Sequence, residues 1–183
     1  MGRVDGEKRL DVLIRALALL QREDIQLAIA GRGTALYELK ELAAGLGLGQ
    51  KVVFTGFIPA EDLPSLLNSA DIFAMPSQAE LLSIATLEAM ACARPVLAAD
   101  AWALPELVSE GINGYLFKPG DEADAARKMA LLADGPEKWA AMAAASLEKV
   151  QAHSLENTIT SYEEFYMRVL AGVWQPGTKA VPG

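Results

Sequence analysis

Apolar residues follow two patterns that alternate along the chain, short continuous runs and longer stretches with helical spacing. Residues 25–30 form an uninterrupted run closed by Gly31, which is typical of a buried strand. The continuous runs predict strands at residues 25–30, 52–54, 72–75, 96–99 and 115–117. The helical spacing predicts helices at residues 7–21, 34–46, 59–67, 83–93, 104–108, 122–133, 136–151 and 154–170.

Strands that alternate with helices are typical of a parallel sheet with helices on both faces. We therefore predict an α/β fold with a doubly wound, Rossmann-like parallel sheet in three layers, α/β/α. Residues 1–172 form this single domain, and residues 173–183, which hold two prolines and two glycines, form a flexible tail. Such domains normally begin with a central strand, whereas this chain opens into a helix. We interpret its first strand as missing.

Composition narrows the function classes. The 24 Asp and Glu residues outnumber 16 Lys and Arg residues, giving a net charge of −8, which argues against broad nucleic-acid binding. The chain has one cysteine, Cys92, and one histidine, so an internal disulfide is excluded and a zinc cluster is disfavoured. No apolar run predicts a membrane span or a signal peptide. The expected location is the cytoplasm.

Ligands of doubly wound sheets bind outside the carboxyl ends of the strands, so the loops there are the first place to look for chemistry. The loop and helix start at residues 75–88 are rich in polar residues. Glu80 lies in the loop and Glu88 inside the helix, so the two carboxylates can hold different hydroxyl groups of one ligand. Ser83 is placed to cap the helix, and the amides of Ser83 and Ile84 then suit a phosphate.

A second candidate segment is residues 2–8, where Arg3 and Lys8 lie in a loop before a helix start. Both side chains can reach an anion held there. Plainer interpretations also fit these residues. Glu80 can cap backbone amides, Glu88 can be an exposed helix residue, and the two cations can be a solvated basic pair.

Together, these segments resemble the donor-binding half of retaining GT-B glycosyltransferases of the group-one superfamily. The resemblance covers residues 2–170 and consists of short motifs that occur in the family's order. These motifs are Gly2-Arg3-x-x-x-Glu7-Lys8, Gly31-Arg32-Gly33, residues 53–59, residues 70–77, Glu80-x7-Glu88, and residues 104–108, 111–114 and 119–121.

The resemblance implies that the chain binds a nucleoside-diphosphate sugar. It also implies a role for each motif residue: Glu80 as the catalytic residue at the donor sugar, Arg3, Lys8, Ser83 and Ile84 at the diphosphate, Glu88 at the ribose, and the backbone near Phe57 and Ile58 at the base. A diphosphate leaving group gains negative charge, which cations and fixed dipoles stabilise. The family does this without a metal, so no metal and no other cofactor are expected.

The implied reaction moves a hexose to a lipid or glycan acceptor with the anomeric configuration retained. In such enzymes a separate N-terminal domain binds the acceptor, so this chain alone is expected to bind donor but to be inactive. The full-length enzyme could then be peripheral to the membrane. An alternative is a non-catalytic nucleotide-binding or interaction module. A redox domain fits less well, because Gly31-Arg32-Gly33 is followed by no third glycine by position 36.

Two segments depart from the family's pattern. Leu81-Leu82-Ser83 stands where Gly-Phe-Gly is usual, and Ala93 stands where glycine usually follows the helix. If residue 93 is left-handed, alanine costs about 1 kcal/mol relative to glycine.

The missing strand also leads to an expectation about binding partners of the chain. Without it, strand edges are exposed, and the aromatic face of the last helix lacks its usual cover. That face holds Tyr162, Phe165 and Tyr166. We therefore expect the isolated chain to be marginally stable or to self-associate, with a second copy covering the exposed surface.

Overall fold

The computed structural model describes residues 1–173, in which strands and helices alternate as the sequence pattern predicts. The strands are β1 (Leu27–Ala30), β2 (Val52–Gly56), β3 (Phe73–Met75), β4 (Val96–Ala99) and β5 (Gly114–Phe117). The α-helices are α1 (Leu10–Leu20), α2 (Leu36–Gly45), α3 (Leu63–Ser69), α4 (Ile84–Ala91), α5 (Leu104–Leu107), α6 (Glu122–Ala133), α7 (Trp139–Val150) and α8 (Leu155–Leu170). The predicted tail lies outside the described residues from residue 174 onward.

All strand pairs are parallel, which confirms the predicted α/β class. β1 pairs with β2, and β3, β4 and β5 form a second sheet with β4 in the middle. Within residues 1–173 no strand joins β1 to β3, so the parallel strands fall into two sheets.

Burial along the strands follows their position. Every residue of β4 is buried, as expected for a central strand covered on both faces. In β2 buried or half-buried residues alternate with exposed ones, and Val53 and Thr55 point outward. This alternation is typical of an edge strand with one solvated face.

Two groups of helices enclose the strands. α1 packs against α2 and α6, whereas α4 packs against α7. Their apolar faces and the strands share one core, whose largest fully buried side chains include Phe117, Leu17, Met90 and Leu97. The core thereby holds the loops at the strand ends in fixed positions.

The first predicted helix is divided by Arg9, which adopts a left-handed backbone conformation with φ at 49°. A single 3-10 turn, Gly6–Lys8, precedes it, and α1 follows it. The Arg9 guanidinium donates to the Asp11 carboxylate at 3.0 and 3.1 Å, which ties the break to the start of α1. Helical periodicity alone does not reveal such a break, because the apolar spacing of α1 continues undisturbed after it.

The last helix, α8, begins at Ser154, whose hydroxyl accepts a hydrogen bond from the Asn157 amide at 3.2 Å. None of its residues is buried. Its apolar and aromatic side chains, including Ile159, Tyr162 and Tyr166, are exposed. No helix within residues 1–173 combines the length and the apolar character needed to cross a bilayer.

Ala93 follows α4 in the left-handed conformation, with φ at 57°, as the sequence analysis anticipated. A β-carbon is strained there, so Ala93→Gly should raise the free energy of unfolding by about 1 kcal/mol in urea denaturation. Ala144→Gly on the exposed side of α7 is the matched control. It should lower stability by about 0.5–1 kcal/mol, because glycine weakens a helix interior. A lower free energy of unfolding for Ala93→Gly than for the unmodified chain would show that the β-carbon of Ala93 is not strained.

Candidate functional site

The loops at the carboxyl ends of the strands are held together by contacts between distant parts of the chain. The backbone carbonyl of Glu80, after β3, accepts from the Ala103 amide, after β4, at 3.1 Å. With its amide oxygen facing the two donors, Gln78 accepts from the Gly120 amide at 3.0 Å and from Arg9 at 3.3 Å. Three strand-end loops and the segment before α1 therefore meet at one edge of the fold.

An ion pair between Lys8 and Glu80 lies at the centre of this edge. Lys8 Nζ lies 2.5 Å from Glu80 Oε1, although the two residues are 72 positions apart in the chain. The Lys8 and Glu80 side chains are 22% and 9% exposed. Reduced contact with water strengthens the attraction between the charges, so the pair fixes both side chains. The structure thus brings together one predicted cation and one predicted carboxylate.

Glu88 lies on α4 and is half-buried. It lies within electrostatic reach of the Met1 amino group. Burial and the charge of Lys8 lower the pKa of that amino group, whereas the charge of Glu88 opposes the shift. The charges of Glu88 and Lys8 therefore both act on the start of the chain.

Ser83 stands at the cap position of α4, but its predicted capping bond is wrong. The buried Ser83 hydroxyl accepts from Thr86 Oγ1 at 2.8 Å and binds no backbone amide. Two buried hydroxyl groups satisfy each other in this way. The Ile84 amide donates to the Leu82 carbonyl at 3.1 Å, so it has an internal partner that the sequence did not reveal.

Arg3 lies apart from the Lys8–Glu80 pair in an exposed position. Its guanidinium contacts Glu7 at 2.8 Å and Asp5 at 3.2 Å. Asp5 in turn accepts from the amide and the hydroxyl of Thr34, each at 3.0 Å, and the backbone hydrogen bond from Thr34 lowers the pKa of the Asp5 carboxyl. The sequence analysis missed this role of Asp5.

Phe57 and Ile58 follow β2 at the same edge. The Phe57 ring is exposed, and the Arg32 guanidinium lies 5.6 Å from its centroid. This separation suits a cation–π contact. Arg32 belongs to a motif noted in the sequence, but no role had been assigned to its side chain.

Gly31 and Gly33 allow the start of the chain to lie directly against the end of β1. Gly2 N donates to Ala30 O at 3.0 Å, and Val4 N donates to Arg32 O at 2.9 Å. A β-carbon at Gly31 would lie 1.7 Å from the Gly2 carbonyl oxygen, and one at Gly33 would lie 2.2 Å from that of Val4. These glycines therefore serve a contact between two backbones.

The chain matches a known family over most of its length. The model of the family described as glycosyl transferases group 1 matches residues 1–149. A curated relative, the GDP-mannose-dependent alpha-(1-6)-phosphatidylinositol monomannoside mannosyltransferase of Mycolicibacterium smegmatis, is 42% identical over 156 residues. The match covers 79% of this chain and 40% of the relative, so the chain spans less than half of the relative's length.

Solved structures show the same fold. The Anabaena protein HepE in complex with UDP aligns with a TM-score of 0.80 and 27% identity, covering 93% of this chain and 48% of HepE. The C-terminal domain of the Francisella tularensis group 1 glycosyl transferase LpcC aligns with a TM-score of 0.75 and 28% identity. That alignment covers 83% of this chain and 82% of the domain.

The contact at Gly33 gives a direct test of how the segment that carries Lys8 is anchored. Gly33→Ala should lower the free energy of unfolding by about 2 kcal/mol, because the new β-carbon forces the two backbones apart. Gly45→Ala in α2 is the matched control, since a β-carbon there meets nothing within 4 Å. It should leave stability unchanged or raise it. Equal unfolding midpoints for the two variants in urea would rule out the anchoring role.

Proposed function

Because the chain belongs to the glycosyl transferases group 1 family, we propose that it is the nucleoside-diphosphate-sugar-binding part of a retaining hexosyltransferase. The observation that carries the proposal is the Lys8–Glu80 pair at the carboxyl ends of the strands, beside the start of α4. A cation is suited to a diphosphate and a carboxylate to sugar hydroxyls, and here the two lie side by side. The UDP complex of HepE and the GDP-mannose dependence of the mycobacterial relative support this ligand class.

Lys8 is the proposed principal cation for the diphosphate. As the bond to the sugar breaks, negative charge grows on the leaving diphosphate, and a fixed ammonium group stabilises it. The amino end of α4 adds the partial positive charge of its first turn, including the Ser83 amide. The Ile84 amide joins this group if it exchanges its bond to Leu82 for one to phosphate.

Arg3 is the proposed second cation. Exposed ion pairs such as those of Arg3 contribute about 0–1 kcal/mol, whereas hydrogen bonds to charged groups contribute about 1.5–3 kcal/mol. Because these exposed pairs are weak, Arg3 can leave Asp5 and Glu7 to bind a phosphate. The flexible reach of the exposed side chain allows this exchange without moving the backbone, which is hydrogen-bonded to the end of β1.

The remaining site residues are proposed to bind different parts of the donor sugar nucleotide. Glu80 is proposed to hold hydroxyl groups of the sugar, and Glu88, on α4, to hold those of the ribose. The backbone after β2, at Phe57 and Ile58, is proposed to meet the base, with Arg32 and the Phe57 ring forming one side of that region. This order follows the sheet edge from β3 to β2 and is supported by the positions of the loops.

The acceptor is proposed to bind mainly to residues beyond this chain, which spans 40% of its mycobacterial relative. The whole enzyme would transfer a hexose to a lipid or glycan, in keeping with the name of that relative, and could lie at a membrane surface. This chain alone is then a donor-binding part without transfer activity. The proposed chemistry uses the protein's own cations and dipoles and assigns no metal or other cofactor.

Removing the diphosphate cations tests the proposal. Lys8→Ala and Arg3→Ala should each weaken binding of UDP or GDP by about 1.5–3 kcal/mol, the contribution of a hydrogen bond to a charged group. Isothermal titration calorimetry of both nucleotides measures the loss. Lys138→Ala, in the turn before α7, is the control of equal charge change and should bind normally. Wild-type affinity in both site variants would refute the diphosphate assignment.

Substituting Glu80 and substituting Glu88 should affect the binding of different ligands. Glu80→Gln should weaken binding of a nucleoside-diphosphate sugar more than that of the nucleoside diphosphate, because only the former contains the donor sugar. Glu88→Gln should weaken both alike, because the ribose is present in both. Titrating UDP, UDP-glucose, GDP and GDP-mannose into each variant makes the comparison. The same ligand profile in both variants would show that the two carboxylates do not divide the donor in this way.

A further inference from the structure

Arg32 differs from most other arginines of the chain in what its guanidinium group contacts. Arg9, Arg22 and Arg127 each pair with an aspartate. Within residues 1–173, the Arg32 guanidinium has no carboxylate and no other hydrogen-bond acceptor, and its contact is with the ring of Phe57. In a chain with a net charge of −8, this arrangement leaves a cation whose N–H donors are all free.

Backbone contacts hold Arg32 and Phe57 beside each other at the ends of β1 and β2. Gly31 N donates to Gly56 O at 2.7 Å, which joins the two residues that directly precede Arg32 and Phe57. The Arg32 carbonyl in turn accepts from Val4 N at 2.9 Å. The backbone on both sides of the contact is therefore fixed, while the Arg32 and Phe57 side chains are exposed and accessible to a ligand.

The contact with Phe57 leaves the hydrogen-bonding capacity of Arg32 unused. The Arg32 Cζ atom lies over the Phe57 ring, 5.6 Å from its centroid. Such a contact depends on the charge of the guanidinium and involves no acceptor atom, so it consumes none of the N–H donors. A guanidinium presents these donors in a rigid planar fork that matches two adjacent acceptors. Arg32 thus offers a two-pronged donor beside the place where the base is proposed to bind.

The common bases differ in what they present to such a fork. Guanine has two adjacent acceptors, O6 and N7, on one edge. Adenine places its N6 donor beside N7, and cytosine has its N4 donor on the corresponding edge. Uracil has the O4 acceptor there, but its neighbour is a carbon atom. Among these bases, guanine alone can accept both hydrogen bonds from one guanidinium on this edge.

We propose that Arg32 selects guanine nucleotides by donating two hydrogen bonds to O6 and N7 of the base. This inference rests on the proposed function, since it needs a nucleoside diphosphate bound at this edge, and it adds which base the site takes. Arg32 is then the specificity-determining residue. Phe57 is a positioning residue, because its ring supports the guanidinium without offering it an acceptor. The donor substrate is accordingly a GDP-sugar.

The experiment titrates GDP, UDP and 7-deaza-GDP, in which a C–H group replaces N7, into the unmodified chain and into variants by calorimetry. Arg32→Lys keeps the positive charge but lacks the planar fork, and Arg32→Gln removes the charge. Arg168→Gln, on the exposed helix α8, is the matched control for the loss of one charge. GDP and UDP carry the same diphosphate, so any effect of the Arg32 charge on the phosphates cancels in the ratio of their affinities.

The unmodified chain and Arg168→Gln should bind GDP about tenfold more tightly than UDP, the discrimination expected of one bidentate contact. They should also bind GDP more tightly than 7-deaza-GDP. Both Arg32 variants should lose these two preferences. An unmodified chain that binds UDP at least as tightly as GDP, or preferences that survive in both Arg32 variants, would overturn this inference and leave the proposed function in place. Binding of none of the three nucleotides would overturn both.

Discussion

The candidate site depends on one backbone contact. Residues 2–4 lie directly against the end of β1, and this close approach determines where the site forms. Gly31 and Gly33 permit that approach, and the bonds from Gly2 and Val4 fix it. From this anchored segment the chain enters the turn that carries Lys8, which reaches Glu80 in the loop after β3. Two glycines after one strand thus position a cation against a carboxylate that follows another strand.

Much of the fold could be predicted because burial imposes different sequence periods on strands and helices. The fully buried β4 and the α-helices were recognised in this way within a few residues. The division into two sheets is not visible in any strand's own pattern, and it was anticipated only as exposed strand edges beside a missing first strand. The left-handed turn at Arg9 was also missed, because the spacing of apolar residues records burial and not backbone conformation. The left-handed conformation of Ala93 was anticipated only because the family that the chain resembles usually has glycine at that position.

The candidate site was predictable where a motif fixed both the residue and its place in a loop or turn, as for Glu80 and Lys8. The hydrogen-bond partners within the chain were not predicted. Ser83 pairs with Thr86, and Arg3 pairs with Asp5 and Glu7, because each polar group bonds to the nearest group that the fold supplies. A sequence read without a fold does not reveal those competing partners. The roles assigned to the site residues toward a ligand stay predictions.

The helix α8 has a consequence for how this part of the chain folds. At 16 residues it is near the length at which an isolated helix is only marginally populated in water, since nucleation costs more than each further bond returns. It buries no side chain, so its helical state is supported mainly by local bonds such as the one from the Asn157 amide to the Ser154 hydroxyl. Its helix–coil equilibrium should therefore be uncoupled from the cooperative unfolding of the sheet. Contact of its aromatic face with any apolar surface would then shift that equilibrium toward the helix, so that segment would gain its order upon binding.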